Sequence, residues 1–259
     1  MADALRKRTR VERLTKLALL LCFGSVLAAL VAAIGSGQDW WHFRVGFDVL
    51  RYAVYGAGAG VLLALVALFV GRRARSRLYL ANLVGLILAA GFLLFVGNQV
   101  RTARSVPAIH DVTTNLEDPP LFYRLQIRED NLENVPVEGR PDLERLPMQE
   151  RWRTLHREAY GDIATIRVPW DVPETVRRAR ALAADRGWDI VSTDERGIVE
   201  ATDTSLFFRF KDDVVIRARP APNGGSLVDI RSISRVGVSD VGVNAERVRD
   251  FLADLQRAA

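Results

Sequence analysis

The chain has 259 residues, 49% of them hydrophobic, and a formal net charge of +5. The charge is uneven: residues 1–100 hold 12 Lys/Arg against 4 Asp/Glu, and the rest holds 24 against 27. A C-terminal part with no basic surplus speaks against nucleic acid as a partner, and the lone Cys22 excludes an internal disulfide.

Residues 1–16 form a basic tail with Arg6, Lys7, Arg8, Arg10, Arg13 and Lys16. Three apolar runs follow within residues 17–100, at about 17–34, 52–70 and 78–96, the last broken only by Asn82. Each is near the ~20 residues a helix needs to cross the hydrocarbon core, and a backbone in lipid must satisfy its own hydrogen bonds, so three membrane helices are expected. The first run exceeds a usual signal-peptide core and ends on a poor cleavage site, Ala32 to Ser36, so an uncleaved anchor is expected. The tail and the 72–77 loop (Arg72, Arg73, Arg75, Arg77) concentrate Lys/Arg, whereas the first loop carries only Arg44 and Arg51. This asymmetry places the N-terminus in the cytoplasm and the C-terminal domain outside. Gly56 to Gly60 reads as a small-residue face, either for a homo-oligomer or for packing against the other helices of the same chain.

Residues 101–160 form a connecting segment rich in charge and proline, a loop expected over the domain surface, with a short helix from Met148 to Tyr160. His110-Asp111 is the acid–base pair of this segment: either a weak catalytic candidate or a histidine capping a turn. His42, His110 and His156 are far apart and no cysteine cluster accompanies them, so no metal site is expected, nor any cofactor.

Residues 161–259 read as a soluble α+β domain in the order β-α-β-β-β-β-β-α. Ile163 to Val168 is a strand; Asp171 caps a helix with Pro173 in its first turn and Glu174 three residues on. Strands follow at Trp188 to Thr193, Ile198 to Thr202, Leu206 to Lys211, Val214 to Arg219 and Val228 to Ser234, and Asn244 is expected to cap the last helix. Short links imply antiparallel pairing, giving two layers: one sheet face under the two helices, the other showing Arg209, Lys211, Arg217, Arg219 and Arg231 either to solvent or to an anionic or protein partner. The candidate ligand-binding set is Arg217, Arg231, Ser232, Ser234, Arg235, Ser239, Asp240 and Asn244, whose hydroxyls, guanidinium groups and loop amides near a helix start suit an anionic group such as a phosphate or lipid headgroup, and suit equally the internal support of a long loop.

Several stretches together carry a family resemblance: Pro107 to Thr114 with Asp118-Pro119-Pro120; Gly187-Trp188; Ile198 to Thr202 leading to Phe208-Arg209-Phe210; Asp212 to Arg217; Val228 to Gly237; and Ser239 to Asn244. In these the chain resembles the bacterial and plastid family called domain of unknown function 1499, in a membrane-anchored form, from about residue 105 onward. Gly161 stands where that pattern has a proline, a local change in one turn. The resemblance implies a fold unit and a cell-envelope setting, and with the Lys/Arg asymmetry a bacterial inner (plasma) membrane with the domain periplasmic. It implies no reaction. The expected function is that of an uncharacterised membrane-anchored envelope protein binding a lipid, a polymer or a protein partner, with a surface hydrolase or transferase using His110-Asp111 and the 231–244 loop as the rival.

Overall fold

The computed structural model describes residues 2–71, 78–132, 135, 137, 139–194 and 197–259, with side chains of the first helix from Thr9 onward. The arginines of the 72–77 loop, the side chains of Arg6, Lys7 and Arg8, and the turn residues Glu195 and Arg196 lie outside the described residues. The chain divides into two compact units, residues 1–100 with Leu206–Arg209, and Arg101–Ser205 with Phe210–Ala259.

The first unit is built on α1 (Ala2–Gly37), α2 (Phe43–Gly71) and α3 (Tyr79–Ser105). Each holds an apolar stretch long enough to cross a membrane, within Thr9–Gly37, Phe43–Gly71 and Tyr79–Ser105. Their contact seam is made of small residues: Ala18, Cys22, Ala57, Ala64 and Ala89 are fully buried. A Cβ at Gly60 would lie 3.0 Å from the Cys22 backbone, and one at Gly56 2.5 Å from Ser25 Oγ. The small-residue face of α2 therefore meets α1 of the same chain, as close helix approach requires. The buried Asn82 Nδ2 donates to Ala64 O at 3.0 Å, tying α3 to α2.

The second unit is an antiparallel sheet with helices, the expected α+β class. Its strands are β1 (Asp111–Thr113), β2 (Ile166–Val168), β3 (Asp189–Asp194), β4 (Ile198–Thr204), β5 (Lys211–Pro220) and β6 (Ser226–Ser234). The order is β1-β6-β5-β4-β3, and β2 lies further along the same side of β6 as β1. The helices are α4 (Pro141–Glu144), α5 (Met148–Tyr160), α6 (Val172–Asp185) and α7 (Val243–Arg257). Asp171 caps α6, its carboxylate accepting from Glu174 N at 3.0 Å. Helices α6 and α7 cover one face, where Val199, Ala201, Val214, Ile216, Val228 and Ile230 meet Val176, Ala179, Val248 and Phe251 in the core. Trp188, just after α6, stacks on Phe251 with centroids 5.3 Å apart.

Two local expectations differ. Leu206 to Phe210 is not a strand but the turn between β4 and β5, with Phe208 and Arg209 at φ 61° and 51°. Ser205 closes it: its N–H donates to Phe210 O and its hydroxyl accepts from Phe210 N, both at 2.8 Å. The apolar alternation there belongs to a turn with Leu206 87% exposed. Asn244 is not the cap of α7. The cap position is Gly242 at φ 83°, and the acceptor is Asp240, whose carboxylate receives Gly242 N (2.9 Å) and Asn244 N (2.7 Å).

Helix α5 solves an edge problem. β1 is a border strand, and its outward backbone groups need partners in a buried setting. Trp152 Nε1 donates to Asp111 O at 2.8 Å, and His156 Nε2 accepts from Thr113 N at 3.1 Å. Accepting at Nε2 puts the ring proton on Nδ1.

Candidate functional site

Strand alternation sends Asp213, Arg217 and Arg219 of β5, and Asp229, Arg231 and Ile233 of β6, to the face away from α6 and α7. This face was expected to be solvated or to meet a partner. Much of it is instead covered by residues 114–131 of the chain itself. The cover is fastened by charges: Glu200 of β4 is fully buried and its carboxylate accepts from the backbone N–H groups of Tyr123, Arg124 and Leu125 at 2.8 to 3.1 Å. Arg217 Nη2 reaches Asp118 O at 2.7 Å, and Arg231 Nη1 reaches Pro120 O at 3.4 Å. A carboxylate holding three amides satisfies its lone pairs without a counter-cation.

Beneath this cover the predicted residues divide into separate groups. His110 and Asp111 are buried at 3% and 1% exposure. Asp111 makes two hydrogen bonds with Arg231, at 2.9 and 2.7 Å, and accepts from Asn131 Nδ2 at 2.6 Å. That bond turns Asn131 Oδ1 toward His110 Nε2, 3.1 Å away, while His110 Nδ1 lies 3.2 Å from Val238 O. Both ring nitrogens thus face acceptor oxygens, and neither is directed to solvent.

Ser232, Ser234 and Asn244 form a second group. Ser232 Oγ donates to Asn244 Oδ1 at 2.6 Å, and Asn244 Nδ2 donates to Ser234 Oγ and His110 O, both at 3.0 Å. Arg247, which sequence reasoning passed over, joins them by donating to Ser232 Oγ and Asn244 Oδ1, and its other nitrogens bond Asp203 and Asp212. Ser239 Oγ accepts from Val241 N at 3.1 Å. The start of α7 is therefore occupied by the chain's own Asp240. Burial pushes the Asp240 carboxyl above its ordinary range, against the pull of its backbone donors.

Arg217 and Arg235 stand apart. Arg235 bonds Asp213 through Nε and Nη2 at 2.8 Å each and lines a small recess of about 290 Å³ with Phe122 and Ile127. Arg217 and Arg219 share the fully buried Asp229, at 2.9 and 2.7 Å. Burial drives the Asp229 carboxyl upward, and the hydrogen bonds from Thr165, Arg217 and Arg219 outweigh it, holding it below the usual carboxylate range. The Nε atoms of both arginines are buried without a partner. Where the 114–131 cover ends, the two arginines, Arg124 and the exposed Tyr123 border an open groove of about 970 Å³. Its floor is Ser192 and Asp194 of β3 with Ile198 and Glu200 of β4. Among the described residues no group of three His, Cys, Asp or Glu side chains is placed to hold a metal ion.

The model of one family, described as Protein of unknown function (DUF1499), matches residues 111–255, more than half of the chain. The chain belongs to this family. No curated protein and no solved structure matches it. The DUF1499 match begins at Asp111 in β1 and ends in α7, so it takes in both partners of the Asp111–Arg231 pair, Glu200, and the Arg217–Asp229–Arg219 cluster. Glu200 and His156 were not singled out from sequence. The signal for Glu200 was a lone acid in the buried strand Ile198 to Thr202; His156 had none, because its partner is a backbone N–H.

Proposed function

We propose that this DUF1499 protein is a membrane-anchored envelope protein whose C-terminal domain binds an anionic partner in the groove bordered by Tyr123, Arg124, Arg217 and Arg219. The observation that carries this reading is the gathering of three guanidinium groups, Arg124, Arg217 and Arg219, around one open groove. Arg217 and Arg219 meet two carboxylates, the buried Asp229 and the exposed Asp118 (3.1 and 3.9 Å away), and Arg124 adds a third guanidinium at the groove. Of the two acids in the floor, Asp194 and Glu200, the second has its oxygens taken up by three backbone amides. Guanidinium groups at an open groove suit phosphate or carboxylate oxygens, which they bind through paired N–H donors. The Lys/Arg distribution supports a cytoplasmic N-terminus and a periplasmic domain, so a lipid phosphate and a phosphate-bearing envelope polymer share the required chemistry.

Native mass spectrometry of the full chain in detergent tests the reading in two arms, phosphatidylglycerol and a soluble glycerol-phosphate oligomer, with phosphatidylcholine as reference. One of the two anions is retained, and Arg124→Glu with Arg219→Gln lowers its retention about ten-fold or more, equivalent to ~1.4 kcal/mol. Retention no better than phosphatidylcholine in both arms, or unchanged in the double variant, overturns it.

The rival hydrolase or transferase gains one point: His110 does adjoin the 231–244 loop, through Val238 O. A general base needs a ring nitrogen within reach of a substrate proton. Both nitrogens of His110 are engaged inside the fold, which favours a structural role.

A further inference from the structure

Isolated exposed apolar side chains are ordinary on a folded surface. Three valines, two in the link between β6 and α7 and one at the first position of α7, differ in how they are held and where. Val236, Val238 and Val243 are 36%, 46% and 46% exposed. The loop carrying them is tied down along its length. Arg128 Nη1 donates to Gly237 O at 2.7 Å, the His110 ring lies 3.2 Å from Val238 O, Asp240 N donates to Ile109 O at 3.4 Å, and Asp240 holds the start of α7. Turning the valines inward would break these bonds, so their outward display is fixed by the fold.

The ties also fix the position of the loop. Its partners, Ile109 and His110, lie a few residues beyond the end of α3, and a Cβ at Gly242 would sit 3.3 Å from Val106 Cγ1. The apolar part of α3 ends at Val100, and Arg101 and Arg104 follow in its last turns, both exposed. Basic residues at the end of a membrane helix sit at headgroup level. Val106 is two residues past Arg104, and a chain advances at most ~3.6 Å per residue, which puts Val106 within roughly 7 Å of that level. Gly242, packed on Val106 and next to Val243, is thus held close to headgroup level, whichever side of the membrane the domain occupies.

We propose that Val236, Val238 and Val243 enter the lipid interface of the membrane that α3 crosses, giving the domain a second, non-spanning contact with the bilayer. The partner is the boundary between headgroups and acyl chains. The arginine groove is not needed for this contact, so the two readings fail independently.

Spin labelling of the full chain in phosphatidylcholine–phosphatidylglycerol nanodiscs tests it. With Cys22→Ala as background, single labels are attached through Val238→Cys, Val243→Cys and, as a water-exposed control on β3, Val191→Cys. All three positions are at least 42% exposed, so a label leaves the core undisturbed. Collision with oxygen, which concentrates in lipid, is compared with collision by a water-soluble nickel chelate. The oxygen-to-nickel ratio at Val238 and Val243 exceeds that at Val191 by about two-fold or more, as burial at the acyl boundary requires. A smaller excess at either position overturns the proposal.

Discussion

The guanidinium of Arg231 and the carboxylate of Asp111 meet through two hydrogen bonds, 2.9 and 2.7 Å long, at a site where neither residue is more than 8% exposed. The pair joins the first strand of the domain to the last, and Asn131 extends it to His110. Losing one member leaves the other charged and dry, whereas replacing both with apolar side chains removes that penalty. Arg231→Met is expected to cost about 3–5 kcal/mol, and Asp111→Leu with Arg231→Met to recover much of it. Chemical unfolding of the full chain in detergent, followed by tryptophan fluorescence, reads the difference. A double variant as unstable as the single one contradicts this account of the pair.

Glu200 governs the cover over the polar sheet face. Glu200→Ala strands three backbone amides at Tyr123, Arg124 and Leu125, and each unmet buried donor costs about 1–3 kcal/mol unless the segment lifts into water. Lifting is the cheaper outcome, so the variant is expected to expose Arg124 and Arg128 to trypsin while the rest of the domain stays folded. Limited proteolysis with mass analysis of the fragments shows whether cleavage begins there. Cleavage as slow as in the native chain sinks the assignment.

His156 predicts acid sensitivity above the range where carboxylates titrate. Burial pushes its imidazole from 6.5 down to about 4. Between those values the unfolded chain takes up a proton that the folded one refuses, so stability falls as pH drops from about 6.5 to 4 and the effect is complete below 4. The full effect is about 3 kcal/mol. Asp240, raised by burial, works with the opposite sign. The contribution of His156 is therefore read as the difference between the native chain and His156→Gln, which retains an acceptor for Thr113 N. Parallel pH profiles for the two proteins would refute it.

Two adjacent glycines in the β5–β6 link should respond differently to the same change. Gly224 and Gly225 both have positive φ, 81° and 75°. A Cβ on Gly224 meets nothing within 4 Å, but one on Gly225 would lie 2.2 Å from Val168 O. Gly224→Ala is expected to cost only the left-handed backbone term of about 1–2 kcal/mol. Gly225→Ala adds a clash with β2 that the strand can relieve only by giving up its pairing with Leu227 and Ser226. Thermal melts of the two variants order them directly, and equal losses would show that β2 yields freely.

Periodicity exposed the parts of this fold that solve their problems locally. The three spans are apolar runs interrupted only by Asn82; Asp171 and Glu174 announce the start of α6; and the alternating residues of β5 and β6 separate a core face from a polar one. What stayed hidden depends on distant backbone. β1 is three residues long, too short for a pattern, and its partner lies on β6, with Asp111 and Arg231 120 residues apart. Glu200 and His156 bind main-chain N–H groups, which carry no side-chain identity to match. Leu206, Phe208 and Phe210 alternate as a strand would, yet Ser205 closes the chain into a turn before pairing can form. Of the candidate ligand-binding set, all eight residues make hydrogen bonds within the domain, and Arg217 and Arg235 in addition line open recesses.

The central place of β6 has a consequence for how the domain is made. β1 and β2 both pair with this one strand, along the same side, and β5 pairs along the other. Until Ser226 to Ser234 has been synthesised, β1 and β2 have no edge to join, and the acid and arginine ends of the main ion pair have not met. Contacts this far apart in sequence slow folding because a long loop must close first. β1 and β2 then stay unpaired until the last strand arrives. A chain truncated before residue 226 would be expected to leave β1 and β2 without a partner strand, open to a quality-control protease.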